Sequence, residues 1–214
     1  AFQLKRLVLK NRGTGQVVRV PHFMPPKQPD TQPGFGEDLT GLHPCLDIKD
    51  LTPVVKELKV TGVQAVGSQQ ALVTTLDSEL FHADWSQAET RLKLVASGEG
   101  EEKWMDALAH QGRTFVLAKK RIIELKDEDQ DGFFESHLTL ADDWETSADK
   151  HEFSFGGVVA DGHLYFASAV AMDIRSTHNR QVALRGSAFK VHLATGKSTL
   201  VAGGLRVPNG MCLN

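Results

Sequence analysis

The sequence of 214 residues predicts an all-β fold: a partial β-propeller of about three four-stranded antiparallel blades after an irregular N-terminal segment. The first observation is a repeated pattern of short apolar strands separated by tight turns. The pattern recurs in 63–85, 105–127 and 155–170. The second observation is its period, because equivalent strand positions return after roughly 40 to 50 residues, a spacing typical of propeller blades.

The turns are the third observation. Gln111 and Gly112 separate one pair of apolar strands, and Asp161 and Gly162 separate another, as in two-residue β-hairpins. Two more strands are predicted in 187–205. A β-sandwich whose strands merely recur is the alternative that this pattern leaves open.

The predicted number of blades is too small for a closed ring, because propellers usually need four to eight. The stretch 203–214 comes where a fourth blade should begin its strands. An open arc would leave a sheet edge uncovered, which favours aggregation. We therefore expect the remaining propeller blades to be supplied by the parent protein.

The domain organisation predicted from the sequence has two parts. Residues 1–58 form a lead-in, which could be the end of a preceding domain, and residues 59–214 form the partial β-propeller. The lead-in contains two stretches that could pair as strands, followed by a proline-rich segment, 22–44, that should be extended and irregular.

Composition excludes some classes of function. A formal net charge of -3 gives no electrostatic argument for binding nucleic acid. No apolar run approaches 18 residues, so no membrane span is expected. The two cysteines, Cys45 and Cys212, match no zinc or haem spacing and could form a single disulfide, so they leave the redox compartment open.

The acidic turn, residues 127–135, has three aspartates at alternate positions followed by a glycine, the first half of a calcium-binding loop. The predicted calcium ligands are Asp127, Asp129 and Asp131, with the Phe133 carbonyl and water. Glu135 is at the ninth position, and Leu138 is at the twelfth, where a bidentate carboxylate belongs. The alternative is a solvated acidic turn that joins two blades.

A second motif, "HEFSFGGVVADGHLYF" (151–166), places His151 just before a predicted hairpin, ten residues ahead of the Asp161 turn. A loop histidine with one surface hydrogen bond is the structural interpretation. However, the stretch resembles the segment around the catalytic histidine of the soluble pyrroloquinoline quinone (PQQ) dependent glucose and sorbosone dehydrogenases. The segment 185–211, with "GLRVPNG", resembles the blade of that family that ends in a Gly-Leu-Arg-Asn-Pro-x-Gly turn, and the resemblance extends over roughly 40–214.

The resemblance implies roles for three residues. His151 matches the general base that removes a hydroxyl proton while hydride moves to the quinone, and Arg206 matches the arginine beside the quinone carbonyls. Asn209 stands where the family has an amide that contacts the cofactor. Val207 departs from the family, which has an asparagine there, and the remaining cofactor contacts of the family come from later blades.

The same resemblance implies PQQ and calcium as cofactors and a sugar or polyol as substrate. It also implies an electron-acceptor protein such as a cytochrome, and a periplasmic or extracellular location. We expect this chain alone to be inactive. Two other functions remain open: a non-catalytic propeller that serves as a binding or scaffold module, and a calcium-dependent hydrolase of the lactonase type.

Overall fold

The structure is a computed structural model of the chain. It describes residues 8–10, 17–19, 58–87, 90–98, 102–147, 151–170 and 183–212. The chain divides into two compact units, Ala1–Lys49 and Asp50–Asn214. In the first unit, β1 (Val8–Lys10) pairs antiparallel with β2 (Val17–Arg19). The proline-rich segment and Cys45 lie outside the described residues.

The second unit contains three four-stranded antiparallel sheets, each formed by consecutive strands. The first sheet consists of β3 (Val60–Gly67), β4 (Gln70–Thr75), β5 (Glu79–Asp84) and β6 (Arg91–Ser97). The second consists of β7 (Trp104–His110), β8 (Arg113–Ala118), β9 (Ile122–Lys126) and β10 (Ser136–Ala141). The third consists of β11 (Ser154–Ala160), β12 (His163–Ser168), β13 (Ser187–His192) and β14 (Ser198–Ala202). The prediction of an all-β partial β-propeller with three blades is confirmed.

The first strand of each sheet lies next to the first strand of the following sheet, so that β3 contacts β7 and β7 contacts β11. These are the inner strands of the arc. Glycine permits their close approach: a Cβ on Gly157 would lie 2.3 Å from Leu108 Cδ1, and a Cβ on Gly62 would lie 2.8 Å from the Met105 carbonyl oxygen. A larger residue at Gly62 would press on the backbone of the neighbouring blade, and one at Gly157 would displace the buried side chain of Leu108.

Two apolar cores fill the spaces between the sheets. Between the first and second sheets, the buried residues include Leu72, Leu80, Val95, Trp104, Val116 and Ile123. Between the second and third sheets, they include Leu108, Phe115, Leu117, Trp144, Leu164, Phe166 and Phe189. Alternate residues of the middle strands therefore face one neighbouring sheet or the other, as expected for stacked blades.

Polar contacts also join the second sheet to the third. Arg113 donates to both carboxylate oxygens of Glu124 on its own sheet and reaches the Leu193 carbonyl oxygen at 3.3 Å. The same guanidinium lies 4.7 Å from the centroid of the Phe115 ring. Within the part of the chain that is described, no helix is long and apolar enough to cross a membrane.

Candidate functional site

The loops that carry His151 and Arg206 meet at one end of the third sheet. The N–H of Ala169 donates to the Phe153 carbonyl at 2.9 Å, and the N–H of the next residue, Val170, donates to the Arg206 carbonyl at 3.0 Å. Two consecutive residues at the end of β12 therefore hold the start of β11 on one side and the segment after β14 on the other. His151 is two residues before Phe153.

The segment that contains Asn209 runs beside the inner strand β11. A Cβ on Gly156 would lie 2.6 Å from the backbone nitrogen of Met211, and Gly156 has a φ of 63° that favours glycine. Farther back, the N–H of Leu205 donates to the Gly186 carbonyl at 2.8 Å. Residues 205–211 thus leave the outer edge of the third sheet and return to the position of a fourth inner strand.

The side chains at this end differ in exposure and pairing. His151, Arg206 and Asn209 are exposed. Among the described residues, none forms a hydrogen bond with the Arg206 guanidinium or the Asn209 amide, so both could bind a ligand. Val207 is 39% exposed and apolar, so it adds surface but no hydrogen bond.

A buried ion pair lies directly under this end of the sheet. Glu152 follows His151 in sequence and is fully buried, and its Oε1 accepts from Nε of Arg185 at 2.9 Å. Its Oε2 accepts from the backbone N–H of Ser147 at 2.8 Å and from the Ser147 hydroxyl. The sequence analysis missed this cluster, because nothing in the sequence around Glu152 signals that a loop glutamate is buried.

The acidic turn connects β9 to β10. Both strands belong to the second sheet, so the expectation that the turn joins two blades is wrong. One carboxylate oxygen from each of its four acidic residues lies within 4.8 Å of the others, and these residues are Asp127, Asp129, Asp131 and Glu135. Asp127 accepts from the backbone N–H groups of Asp131 and Gly132, at 3.2 and 2.9 Å. The structure therefore brings together the three predicted aspartates and adds Glu135, whereas Leu138 is on β10.

Like charges crowd this turn. The N–H of Asp131 lowers the pKa of Asp129, but desolvation and the charges of Asp131 and Glu135 outweigh that contact, so the pKa of Asp129 is raised above its usual value. Lys93 of β6 donates to the carbonyl oxygens of Asp131 and Gly132 at 3.1 and 3.2 Å, so it contacts the backbone of the turn. The four carboxylates of the turn offer oxygen ligands, which calcium prefers.

The acidic turn and the His151 loop are separated along the chain by β10. The turn precedes that strand and the loop follows it, so the two lie at opposite ends of a six-residue strand. Such a strand is about 20 Å long. A cation in the acidic turn could therefore stabilise the second blade, but it would not contact a ligand bound beside His151 and Arg206.

A pocket of about 310 Å³ adjoins the acidic turn. Its lining residues are Ser97, Arg121, Phe133, Phe134, Glu135 and His137. Arg121 pairs with Glu102 through two contacts, one of them Nη2 to Oε2 at 3.0 Å, and donates to the Thr139 hydroxyl at 2.9 Å. The guanidinium of Arg121 is thus engaged with the protein.

Asp106 is an ionisable residue on an inner strand that the sequence analysis did not identify. Its carboxylate, at the irregularity near the start of β7, accepts from the backbone N–H groups of Gly157 on β11 and Ala107, at 3.0 and 2.9 Å. Desolvation raises the pKa of Asp106 despite these two bonds. Asp106 therefore joins the second and third blades at their inner strands.

Comparisons with known proteins give similarities of fold only. No protein-family model and no curated protein matches the chain. Among solved structures, a luciferin-regenerating enzyme is 13% identical with a TM-score of 0.47, over 71% of this chain and 47% of that one. BamB from Moraxella catarrhalis is 14% identical with a TM-score of 0.34, over 69% of this chain and 51% of that one. The WD40 β-propeller domain of Doa1 is 11% identical with a TM-score of 0.28, over 66% and 68%.

The chain thus spans about half the length of the first two structures that it matches. At these identities and TM-scores, no argument about activity rests on the similarity.

Proposed function

We propose that this chain supplies part of the active site of a PQQ-dependent sugar or polyol dehydrogenase, within a propeller that further blades complete. The observation that carries the proposal is the pair of hydrogen bonds from Ala169 and Val170, which brings the His151 loop and the Arg206 segment to the same end of one blade. A base and a cation, two side chains of complementary chemistry, are thus carried by segments at the same end of the blade.

The residues present fit part of the cofactor. PQQ carries carboxylates and quinone carbonyls, which are hydrogen-bond acceptors, and Arg206 and Asn209 are exposed donors that no described residue engages. Val207 offers neither donor nor acceptor. Arg206 would bind the quinone carbonyls and Asn209 would orient the cofactor, while blades outside this chain would supply the remaining contacts.

His151 would act as the general base. A neutral imidazole can accept the proton of a substrate hydroxyl near neutral pH, and its exposed position before β11 leaves it accessible to a sugar or polyol. The hydride on the carbon that bears this hydroxyl would go to PQQ, which supplies the redox chemistry when bound. The buried Glu152–Arg185 pair would fix the backbone on which His151 stands, since Glu152 is the next residue and cannot move without breaking its bonds.

Calcium would serve a structural role at the acidic turn. Its four carboxylates would hold the ion and the crowding of their charges would be relieved. This part of the proposal is independent of PQQ, because the acidic turn and the His151 loop lie at opposite ends of β10.

Further blades would cover the free side of β3. Among the described strands, β3 has an inner-strand neighbour on one side, β7, and Val60, Val63 and Val66 of β3 are 52%, 64% and 38% exposed. A closed ring would bury this apolar row. The proposed partners are a sugar or polyol and an electron-acceptor protein such as a cytochrome, and the proposed location is periplasmic or extracellular.

The test is uptake of PQQ by the full-length protein, followed by its absorbance in the presence of calcium, with turnover of sugars and polyols measured in parallel. His151→Ala should lower turnover by about two to four orders of magnitude and leave PQQ uptake unchanged. Arg206→Ala should weaken PQQ uptake. His110→Ala, at the end of β7, is the matched control and should change neither.

A non-catalytic binding or scaffold module is the second candidate. It is favoured by Val207, an apolar and exposed residue at the position where the family that the chain resembles has an asparagine. If the full-length protein takes up no PQQ and His151→Ala changes no activity, the dehydrogenase proposal fails and the scaffold function stands.

A further inference from the structure

Two histidines lie directly opposite each other on neighbouring strands of the third sheet. His163, the first residue of β12, is the Cα partner of His192, the last residue of β13. The N–H of Leu193 donates to the Gly162 carbonyl at 2.9 Å, a bond between the residue after one histidine and the residue before the other. His163 and His192 are therefore a non-hydrogen-bonded pair, the kind whose side chains approach most closely.

The two imidazole rings have the separation expected of two ligands on one metal ion. Their centroids are 5.0 Å apart and their planes are at 89°. A metal–nitrogen bond of about 2.0–2.1 Å places the ion about 3.2 Å from each ring centre, so two rings at a tetrahedral angle would have centroids about 5 Å apart. The protein already holds the rings at this distance, and both are half-buried.

Both rings form a hydrogen bond through Nδ1, so Nε2 is the nitrogen that each ring has left for a metal ion. Nδ1 of His163 lies 2.8 Å from the Asp161 carbonyl oxygen, which can only accept, so Nδ1 carries the proton and Nε2 has a lone pair. A backbone carbonyl bound to the other ring nitrogen is the usual support of a metal-binding histidine. In the neutral ring, this contact therefore leaves Nε2 of His163 available to a metal ion.

His192 requires one adjustment. Its Nδ1 accepts from the backbone N–H of Ala194 at 3.2 Å, so in the neutral ring the proton is on Nε2. Metal binding through Nε2 would move that proton to Nδ1 and open the contact with Ala194. The loss of one hydrogen bond reduces the affinity by a factor of about two to ten.

We propose that His163 and His192 form a binding site for a first-row transition-metal ion such as Zn²⁺ or Cu²⁺. Imidazole nitrogen is a preferred ligand of these ions, whereas calcium prefers the oxygens of the acidic turn. Water fills the other coordination positions. The bound ion joins the β11–β12 turn to the end of β13, at the end of β12 opposite Ala169 and Val170.

The test is calorimetric titration of Zn²⁺ into the full chain near neutral pH, with calcium present to occupy the acidic turn. His163→Ala and His192→Ala should each lower the affinity at least about tenfold, since even the loss of a residue that only supports a metal ligand costs about 10–100-fold. The double variant should bind no more weakly than the weaker single variant, because one missing ligand already abolishes the two-point site. His110→Ala, whose cross-strand partner is Arg113, is the control and should bind as the wild type does.

Two outcomes would overturn the proposal: unchanged affinity in either single variant, or equal losses in His110→Ala. If an alanine variant fails to fold, Cu²⁺ added to the wild-type chain decides the question. Its paramagnetism should broaden the imidazole NMR signals of His163 and His192 before those of any other histidine, and broadening that begins elsewhere would refute the site.

Discussion

Removing one partner of the Glu152–Arg185 pair is expected to destabilise the third blade strongly. Glu152 is fully buried and the side chain of Arg185 is 13% exposed. In Arg185→Met, the apolar stem of the side chain is largely kept, but the carboxylate of Glu152 stays buried with only the two donors of Ser147. A buried charge that loses its countercharge costs about 3–5 kcal/mol.

The chain offers a matched comparison. Arg121 and Glu102 also pair through Nε and Oε1, but their side chains are 31% and 27% exposed. Water screens that pair, so Arg121→Met should cost only about 0.5–1 kcal/mol. The expected difference between the two substitutions is therefore about 2–4 kcal/mol, and burial is its cause, because the more exposed pair makes two contacts and the buried pair makes one.

The assay is urea unfolding followed by tryptophan fluorescence, with the free energy of unfolding extrapolated to water. Glu152→Gln combined with Arg185→Met should recover part of the loss, because the double variant no longer buries an unpaired charge. If Arg185→Met is no more destabilising than Arg121→Met, the argument from burial is refuted. A double variant that simply adds the two single losses would contradict the coupling.

Three further predictions concern carboxylates. Asp129→Asn should lower the calcium affinity of the chain at least about tenfold by calorimetry, and a wild-type chain that takes up no calcium would leave the solvated turn as the interpretation. The raised pKa of Asp106 means that the folded state holds this proton more tightly than the unfolded chain does, so the contribution of Asp106 to stability falls as pH rises from the unfolded pKa of about 4 through the folded value. The free energy of unfolding of the wild type should therefore fall relative to that of Asp106→Asn as pH rises over that window, in urea unfolding at a series of pH values; a difference that does not change with pH would contradict this. The hydroxyl and N–H of Ser86 lower the pKa of Asp84 to about 2. The stability that Asp84 contributes should therefore be lost as pH falls from about 4 to about 2. Ser86→Ala should raise the pKa of Asp84 in an NMR titration.

The local features of the fold could be predicted from the sequence. Asp161 and Gly162 have φ of 48° and 72°, and Gln111 and Gly112 have φ of 49° and 75°, as two-residue hairpin turns require. The turn residues, and the alternation of apolar and polar residues in the flanking strands, can both be recognised in short stretches of sequence. The first hairpins of the second and third blades could therefore be placed without knowledge of any tertiary contact.

Only the part of the candidate site whose residues are close together in sequence could be predicted. Three aspartates at alternate positions form a turn by themselves, and the sequence predicted that cluster, whereas calcium binding there stays a prediction. Glu152 and Asp106 were missed because their partners, Arg185 and Gly157, are 33 and 51 residues away. Burial of a charged residue in this protein is a consequence of how blades stack, and no short pattern of residues encodes it.

The His163–His192 pair shows how the core determines a surface site. Their register depends on residues of the opposite face of the sheet: Phe166 pairs with Phe189, whose ring stacks on it at 5.3 Å, and Leu164 pairs with the buried Val191. A slip of one residue would move every side chain of one strand to the other face and expose these apolar residues. Burial of the apolar face therefore holds the two histidines opposite each other, whether or not a metal ion is bound.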